Sequence, residues 1–366
     1  MPSPSANQPA NSAVPAQAAG PLFVVSMWRS GSSLLYALLN KHPQVGLMYE
    51  ADLLLLRSAF LKPGRSCDWA ARWEFWNQAF TRHGLDVQDF NEGITDFPRA
   101  FEAAHKEFAR RKGATIWGDK SPNYYDRLQE MAETFPDAKF IIVWRDPAGT
   151  ANSILRAAQS GNSYFKRPGS TLRGLIGYEV YKQQHDWLVA HGRAVYDVSY
   201  EDLVRDTPSI MQEVCRFLQI PYHEDLANLQ GADRSAIYGG QHHAFVKGDK
   251  IVSGPRPNVV DDNLRTRIDR YLAFWRKRYA GNWPPYPSVN DANVVAITLG
   301  QRLRDKLTYR ALRAFDSFTA FCFSMAPLSL LQAYRNRKYR GRPQAPSAKA
   351  ETSIHSHSQP VGAKEV

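Results

Sequence analysis

The sequence predicts an α/β fold: a central parallel sheet flanked by helices, with a helical insertion and a helical C-terminal extension. Short apolar, β-branched runs alternate with helical patterns through most of the chain, which is typical of a parallel sheet covered on both faces. The 366 residues, of which 43% are hydrophobic and 12% aromatic, are enough to bury one large core. One main domain with tails is therefore the simplest organisation.

Composition divides the chain into four segments. Residues 1–20 are rich in Pro, Ala, Ser, Asn and Gln, lack the basic start and apolar core of a signal peptide, and predict a disordered tail. Residues 21–288 form the predicted main domain, and residues 289–342 form a basic and apolar helical extension. Residues 343–366 predict a second disordered tail.

The main domain opens with an apolar run, a polar turn and an apolar helix pattern. Residues 22–27 suit a buried strand, because they are apolar and lie between Pro21 and turn residues. The turn leads into a helix, whose N-terminus concentrates unpaired N–H groups and positive dipole and so favours an anion. The residues predicted to bind this anion are Arg29, Ser30, Gly31, Ser32 and Ser33.

Arg29 adds to the prediction of an anion site, because a guanidinium can donate in parallel to two oxygens of a phosphate or sulfate. An ordinary strand-to-helix turn with one solvated arginine is the alternative. The turn is not a Walker A loop, since it lacks the Gly-Lys-Ser/Thr ending. The absence of a Walker A loop disfavours nucleotide kinase and GTPase chemistry.

The rest of the domain follows the same alternation after an aromatic insertion. Residues 51–111 carry helical patterns rich in Trp and Phe, which we interpret as a packed core, with a binding platform for sugar or aromatic ligands as the alternative. The strands predicted beyond it are 114–117, 138–144 and 194–198. The helices predicted beyond it are 123–134, 172–190, 207–218 and 261–280, with another beginning at Pro147.

Two motifs follow predicted strands in this part of the chain. Lys120 lies two residues before a proline in a Gly-Asp-Lys-Ser-Pro segment. Arg145 ends the next strand, and Ser153 follows eight residues later on the predicted helix. Asp146 suits the N-cap of that helix and Pro147 its first turn.

Together, the turn at Arg29, the Lys-His-Pro segment at 41–43, Glu50 and the motif from Arg145 to Ser153 resemble sulfotransferases. The resemblance is to Golgi-type and bacterial enzymes that use 3′-phosphoadenosine 5′-phosphosulfate (PAPS) and act on carbohydrate or on protein tyrosine. It covers roughly residues 21 to 281 and implies the P-loop-like fold of that family.

The resemblance also implies roles for individual residues. The turn at Arg29 would cradle the 5′-phosphosulfate, while Arg145 and Ser153 would bind the 3′-phosphate. Lys247 and Gly248, in a basic stretch with several glycines, loosely match a segment that contacts the 3′-phosphate in relatives.

Sulfuryl transfer to a hydroxyl needs an aligned acceptor, a base, and positive charge near the bridging oxygen. Glu50, 21 residues after Arg29, falls where relatives place the general base, and Lys120 matches a lysine that approaches the transferring group. The alternatives are a solvated or helix-capping glutamate, Asp52 as a rival base, and a surface lysine. No metal is expected.

Charge and cysteine content bear on partners and location. A formal charge of +11 favours anionic partners such as a nucleotide, an acidic glycan or a membrane surface. No nucleic-acid partner is expected, because no binding module is recognisable. Three widely separated cysteines indicate a reducing compartment. We therefore expect a cytoplasmic enzyme, free or held at the inner face of a membrane.

The extension has the composition of an interfacial membrane helix. Residues 317–334 contain no charge and are followed closely by five Arg or Lys residues. An anionic membrane surface contacted by residues 302–342 is the expected partner. A helix packed on the domain, or a contact between copies, is the alternative.

We therefore expect a sulfotransferase that moves the sulfuryl group of PAPS to a hydroxyl of a saccharide, a glycolipid or another small metabolite. A nucleotide-binding or membrane-docked interaction protein without catalytic activity is the alternative. A P-loop kinase is disfavoured, because the sequence offers neither a Walker lysine nor a placeable Mg²⁺ carboxylate.

Overall fold

The computed structural model confirms the predicted α/β fold. It describes residues 20–61, 68–90, 93–162, 164–167, 169–237, 246, 248–252, 258–279 and 294–338. Within these residues the sheet has five parallel strands in the order β2-β3-β1-β4-β5. The strands are β1 (Leu22–Ser26), β2 (Val45–Tyr49), β3 (Ile116–Lys120), β4 (Lys139–Trp144) and β5 (Ala194–Ser199).

Helices cover both faces of the sheet. The α-helices in the described residues are α1 (Ser32–Leu39), α2 (Trp69–Asn77), α3 (Ala79–Arg82), α4 (Phe97–Arg111), α5 (Leu128–Thr134), α6 (Pro147–Gln159), α7 (Ser170–Ala190), α8 (Tyr200–Arg205), α9 (Thr207–Leu218), α10 (Asp262–Arg278), α11 (Leu299–Met325) and α12 (Leu328–Lys338). Short 3₁₀ helices lie at Leu53–Leu61, Val87–Phe90, Pro122–Tyr124 and Glu224–Ala227.

The strand β1 lies at the centre of two hydrophobic cores. Its side chains alternate between them, because successive residues of a strand point to opposite faces. Phe23 and Val25 pack with the helices of the insertion and with α7 and α10. Leu22 and Val24 pack on the other face, with α1 and α9. All four side chains are buried, as the apolar run predicted.

The strand β2 was not predicted, because Gly46 interrupts its apolar run. The structure explains the glycine: a Cβ at Gly46 would lie 2.7 Å from Cα of Ala109, where α4 crosses the strand. Strand β3 also begins and ends later than predicted, and its Lys120 belongs to the strand itself. The helix predicted over 123–134 is instead a 3₁₀ turn followed by α5.

The insertion between β2 and β3 contains a packed aromatic core, in agreement with the favoured interpretation. Trp69 and Trp73 are fully buried, and their ring centroids are 6.0 Å apart. Phe80 packs edge-on against Trp73 at 4.7 Å. These rings stabilise the segment that leads away from Glu50 and do not line the cavity described below.

The C-terminal extension is helical. Helix α11 packs on α7 and on the 3₁₀ helix after Glu50. Among the described residues, no single helix is long and apolar enough to cross a membrane. In the part of the chain that the structure describes, one pair of helices, α11 with part of α12, passes that test of length and composition, and the two are bent by 113° where they meet. The domain boundaries themselves stay a prediction.

Candidate active site

The candidate site lies where the sheet changes its winding direction. Strand β1 pairs with β3 on one side and with β4 on the other. Strands β2 and β3 therefore lie on one side of β1, and strands β4 and β5 lie on the other. Open α/β sheets bind ligands at the carboxyl ends of the strands beside such a point. A cavity of about 460 Å³ lies there. Predicted site residues that line it are Arg29, Gly31, Ser32, Ser33, Glu50, Lys120, Arg145 and Ser153.

The turn after β1 holds its shape through two residues with positive φ. Gly31 has φ of 94°, and a Cβ there would lie 2.1 Å from Cδ2 of Tyr200, so a larger residue does not fit. Arg29 has φ of 65°, an uncommon backbone state that is typical of functional turns. Helix α1 starts at Ser32, so its first N–H groups lie at the cavity wall without partners inside the helix.

The serines of the turn have different surroundings. The Ser26 hydroxyl donates to Oγ of Ser32 at 2.7 Å, and Oγ of Ser33 lies 2.8 Å from the hydroxyl of Tyr49. The hydroxyl of Ser30 instead lies 3.1 Å from that of Tyr178 in the interior, and Ser30 does not line the cavity. Ser32 and Ser33 are thus placed to contact a ligand, whereas Ser30 joins the turn to α7.

The two predicted anion motifs are adjacent in the structure. Nε of Arg29 donates to Oγ of Ser153 at 3.2 Å, and Nη1 of Arg145 donates to the carbonyl of Arg29 at 2.8 Å. The guanidinium of Arg145 also lies 4.3 Å from the ring centroid of Tyr200. As predicted, Asp146 caps α6, accepting from the Gly149 amide at 2.8 Å.

An anionic ligand would fit this basic wall. Nε of Arg145 is buried and has no hydrogen-bond partner among the described residues, although Arg145 lines the cavity. A buried, unpartnered donor costs free energy until a ligand or water satisfies it. A phosphate beside Arg29, Arg145 and Ser153 would supply the acceptor oxygens.

An ion pair between a buried lysine and a partly buried glutamate lies at the carboxyl ends of β2 and β3. Nζ of Lys120 donates to Oε1 of Glu50 at 2.7 Å and to Oγ of Ser33 at 3.3 Å. The ammonium also lies 4.3 Å from the ring centroid of Tyr49. Lys120 is only 1% exposed, and Glu50 has a positive φ of 48°. The two groups predicted to act in catalysis are therefore in direct contact beside the turn that is predicted to bind an anion.

Two further carboxylates, those of Asp52 and Asp119, lie near Glu50. Burial, together with the nearby Glu50 charge, raises the pKa of Asp52 to about 6. Burial and the charge of Asp52 likewise raise the pKa of Asp119 to about 7. Asp52 accepts hydrogen bonds from Ser121 and from Nδ2 of Asn123, the latter at 2.9 Å. Asp52 lines the cavity and is thus a geometric rival to Glu50 as a base.

The raised pKa of Asp52 predicts a pH-dependent stability difference between wild type and Asp52→Asn. An unfolded aspartate titrates near pH 4, so between about pH 4 and 6 the folded state binds more protons than the unfolded state. This group therefore lowers the free energy of unfolding as pH rises through that interval. We expect Asp52→Asn to gain a few kcal/mol relative to wild type between pH 4 and pH 7.5.

Urea unfolding of both proteins at several pH values measures this difference. The same substitution at exposed Asp137 is the control for the general effect of removing one carboxylate. If the difference in free energy of unfolding between wild type and Asp52→Asn stays constant with pH, burial does not raise the pKa of the Asp52 carboxyl.

The late basic segment is only partly described. Lys247 lies outside the described residues, and Gly248 does not line the cavity, although its carbonyl accepts from Nη1 of Arg234 at 2.9 Å. Neighbouring Val246 and Ile251 do line it. The predicted contacts of Lys247 and Gly248 with a phosphate stay a prediction.

Several residues of the site were not assigned a site role from sequence. Tyr49 and Tyr178 hold serines of the turn, and Tyr200 packs against both Gly31 and Arg145. Asn123 joins the site to an aromatic wall by accepting from Nε1 of Trp28 at 3.0 Å. For Tyr200, its position directly after β5 was an available signal.

In the part of the chain that the structure describes, no group of three or more His, Cys, Asp or Glu side chains is arranged to hold a metal ion. The expectation that the enzyme uses no metal stays a prediction.

The fold places a cavity with basic residues at the switch point of a parallel sheet, an arrangement that suits an anionic ligand. A model of the sulfotransferase family matches residues 21–224, more than half of the chain. The chain therefore belongs to the sulfotransferase family, which confirms the predicted family.

Individual known sulfotransferases also resemble this chain, at low sequence identity. A putative protein-tyrosine sulfotransferase of Caenorhabditis briggsae is 24% identical over 205 residues, which are 56% of this chain and 67% of that protein. Protein-tyrosine sulfotransferase A of Caenorhabditis elegans is 25% identical over 212 residues, which are 56% of this chain and 50% of that protein. The sulfotransferase domain from the curacin biosynthetic pathway aligns with a TM-score of 0.49 and 17% identity, over 80% of this chain and 98% of that one.

The matched region spans 38% to 67% of the length of the protein-tyrosine sulfotransferases that resemble the chain. Their acceptors therefore do not define the acceptor of this chain.

Proposed function

We propose that the chain transfers the sulfuryl group of PAPS to a hydroxyl, with the turn at Arg29 binding the 5′-phosphosulfate and Arg145 and Ser153 binding the 3′-phosphate. The observation that carries this proposal is the contact of Lys120 with both Glu50 and Ser33. It joins a candidate base, a cation and the anion-binding turn within one cavity.

The proposed reaction is one in-line displacement. Glu50 accepts the proton of the acceptor hydroxyl while the acceptor oxygen forms a bond to sulfur. The bond between sulfur and the bridging oxygen breaks, and its electron pair goes to the 5′-phosphate of the leaving 3′-phosphoadenosine 5′-phosphate (PAP). Lys120 and the first amides of α1 stabilise the charge that develops on that oxygen.

The proposed acceptor is a saccharide, a glycolipid or another small hydroxyl compound. The cavity wall near Asn123 is aromatic: the rings of Trp28 and Tyr164 are 5.4 Å apart and edge-on, and Phe165 lies beside them. Such rings can pack on the apolar face of a sugar. They can equally pack on a phenol, so peptide tyrosine, the acceptor in the names of the relatives, is the second candidate.

A panel of acceptors with PAPS labelled in its sulfuryl group separates the two candidates. Saccharide, glycolipid and small-alcohol acceptors form one arm, and acidic peptides with a single tyrosine form the other. Labelled product in the first arm only supports our proposal, whereas product from the peptides only would replace it with protein-tyrosine sulfation.

Calorimetric titration with PAP tests the proposed donor site. We expect Arg145→Ala, Ser153→Ala to raise the Kd for PAP about a hundredfold, because two hydrogen bonds to a charged phosphate are lost. The Kd for ADP, which has no 3′-phosphate, is expected to change much less. The matched control is Arg216→Ala, Ser209→Ala on α9, outside the cavity lining.

Arg145 also holds the carbonyl of Arg29, so folding needs its own control. Arg145→Lys keeps the charge, and its melting temperature shows whether the turn survives. Equal affinity of wild type for PAP and ADP would refute the assignment of the 3′-phosphate to Arg145 and Ser153.

A further inference from the structure

Helix α11 turns its charged face toward the protein. Arg302 and Lys306 both pair with Glu179 of α7, the latter at 2.9 Å. Arg313 pairs with Asp126, and Arg173 pairs with Asp316 at 2.6 Å. A surface helix usually buries its apolar face and exposes its charges. This helix does the reverse.

The opposite face of α11 is apolar and exposed. Five apolar side chains on this face are 46% to 67% exposed, and we refer to them as the outer stripe: Leu303, Leu307, Phe315, Phe318 and Phe321. At about 100° per residue these five side chains fall within about 120° of the helix circumference. Leu330 of α12, 63% exposed, adds an apolar side chain just after the bend. A contiguous apolar surface of this kind marks an interaction site.

The exposed charges on these helices are positive. Arg304 and Arg310 are exposed beside the outer stripe, and Arg337 is exposed on α12. The two acidic residues within the helices, Asp305 and Asp316, are directed inward: Asp305 accepts from the Tyr271 hydroxyl at 2.7 Å. The outward surface thus combines large apolar side chains with positive charge.

This combination favours a membrane over a second copy of the chain. Two copies joined through the outer stripe would bring arginines together, with no exposed acid on either helix to oppose them. An anionic bilayer supplies hydrocarbon for the phenylalanines and negative charge for the arginines. We propose that α11 and α12 dock the enzyme on an anionic lipid surface, with α11 lying in the plane of the interface.

Docking would place the cavity close to the lipid. The hydroxyl of Tyr309 on α11 lies 2.7 Å from that of Tyr125. The ring of Tyr125 in turn lies 5.9 Å from that of Trp28, which lines the cavity. One layer of aromatic rings therefore separates the helix from the cavity wall.

Cosedimentation of the full chain with lipid vesicles tests the docking surface. We expect binding to phosphatidylcholine vesicles with about 30% phosphatidylglycerol, weak binding to phosphatidylcholine alone, and release by salt. Phe315→Ser, Phe318→Ser should lower partitioning more than about tenfold, because two large apolar side chains no longer enter the lipid. Arg304→Gln, Arg310→Gln should lower it about tenfold or more on anionic vesicles only.

Matched controls lie elsewhere on the surface. Val189→Ser removes an exposed apolar side chain from α7, and Arg99→Gln, Arg216→Gln removes two exposed charges. These variants should bind as wild type does, and PAP affinity should be unchanged in all. Absence of vesicle binding, or equal binding by wild type and the outer-stripe variants, would overturn the proposal. So would a concentration-dependent dimer, seen by sedimentation velocity, that those variants abolish.

Discussion

Replacing Glu50 with glutamine is expected to lower kcat about a thousandfold, within the range of roughly 10² to 10⁴ found when a general base is removed. Glutamine has nearly the same shape and can still accept the hydrogen bond from Lys120. It cannot take the proton of the acceptor hydroxyl. Steady-state sulfuryl transfer gives kcat, and calorimetry should give a PAP affinity within about twofold of wild type.

Two further variants complete this test. Glu213→Gln, at an exposed position of α9, is the matched control and should keep full activity. Asp52→Asn removes the rival carboxylate, which also lines the cavity. If Asp52→Asn loses activity and Glu50→Gln keeps it, the base is Asp52 and our assignment of Glu50 is wrong.

Features that depend on local chemistry could be predicted from the sequence. The turn at Arg29 and the cap at Asp146 are each contained within a few residues of chain, and Ser153 follows Arg145 by eight residues on the next helix. A glycine between polar residues after a strand already indicates a tight turn. The prediction placed the phosphosulfate and 3′-phosphate motifs separately, however, and only the fold shows that Arg29 contacts Ser153.

Features that depend on distant segments could not be predicted. Strand β2 contains Gly46 because α4 crosses it closely, and no residue near Gly46 in the sequence indicates that contact. The raised pKa of Asp119 likewise comes from burial among residues far along the chain. For α11, composition suggested a membrane helix, but which side faces outward depends on its ion pairs with Glu179 and Asp126.

Replacing Lys120 with methionine is expected to lower kcat about a hundredfold or more, as removal of one charge-stabilising donor does in other enzymes. Its ammonium is buried and held between Glu50 and Ser33, so it meets the developing charge already oriented. The methionine fills a similar volume without a charge. Lys106→Met on α4, an exposed lysine paired with Glu102, is the matched control.

The single variant leaves Glu50 without its partner, so a double-mutant cycle must separate two roles of Lys120. If the lysine only orients Glu50, adding Lys120→Met to Glu50→Gln should cost little further activity. If it stabilises the leaving phosphate, as we propose, the double variant should lose about another hundredfold in kcat, because the two groups act on different atoms. If the two substitutions lower kcat additively, Lys120 stabilises the leaving phosphate. If Lys120→Met costs no further activity in the Glu50→Gln background, Lys120 is a positioning residue for Glu50.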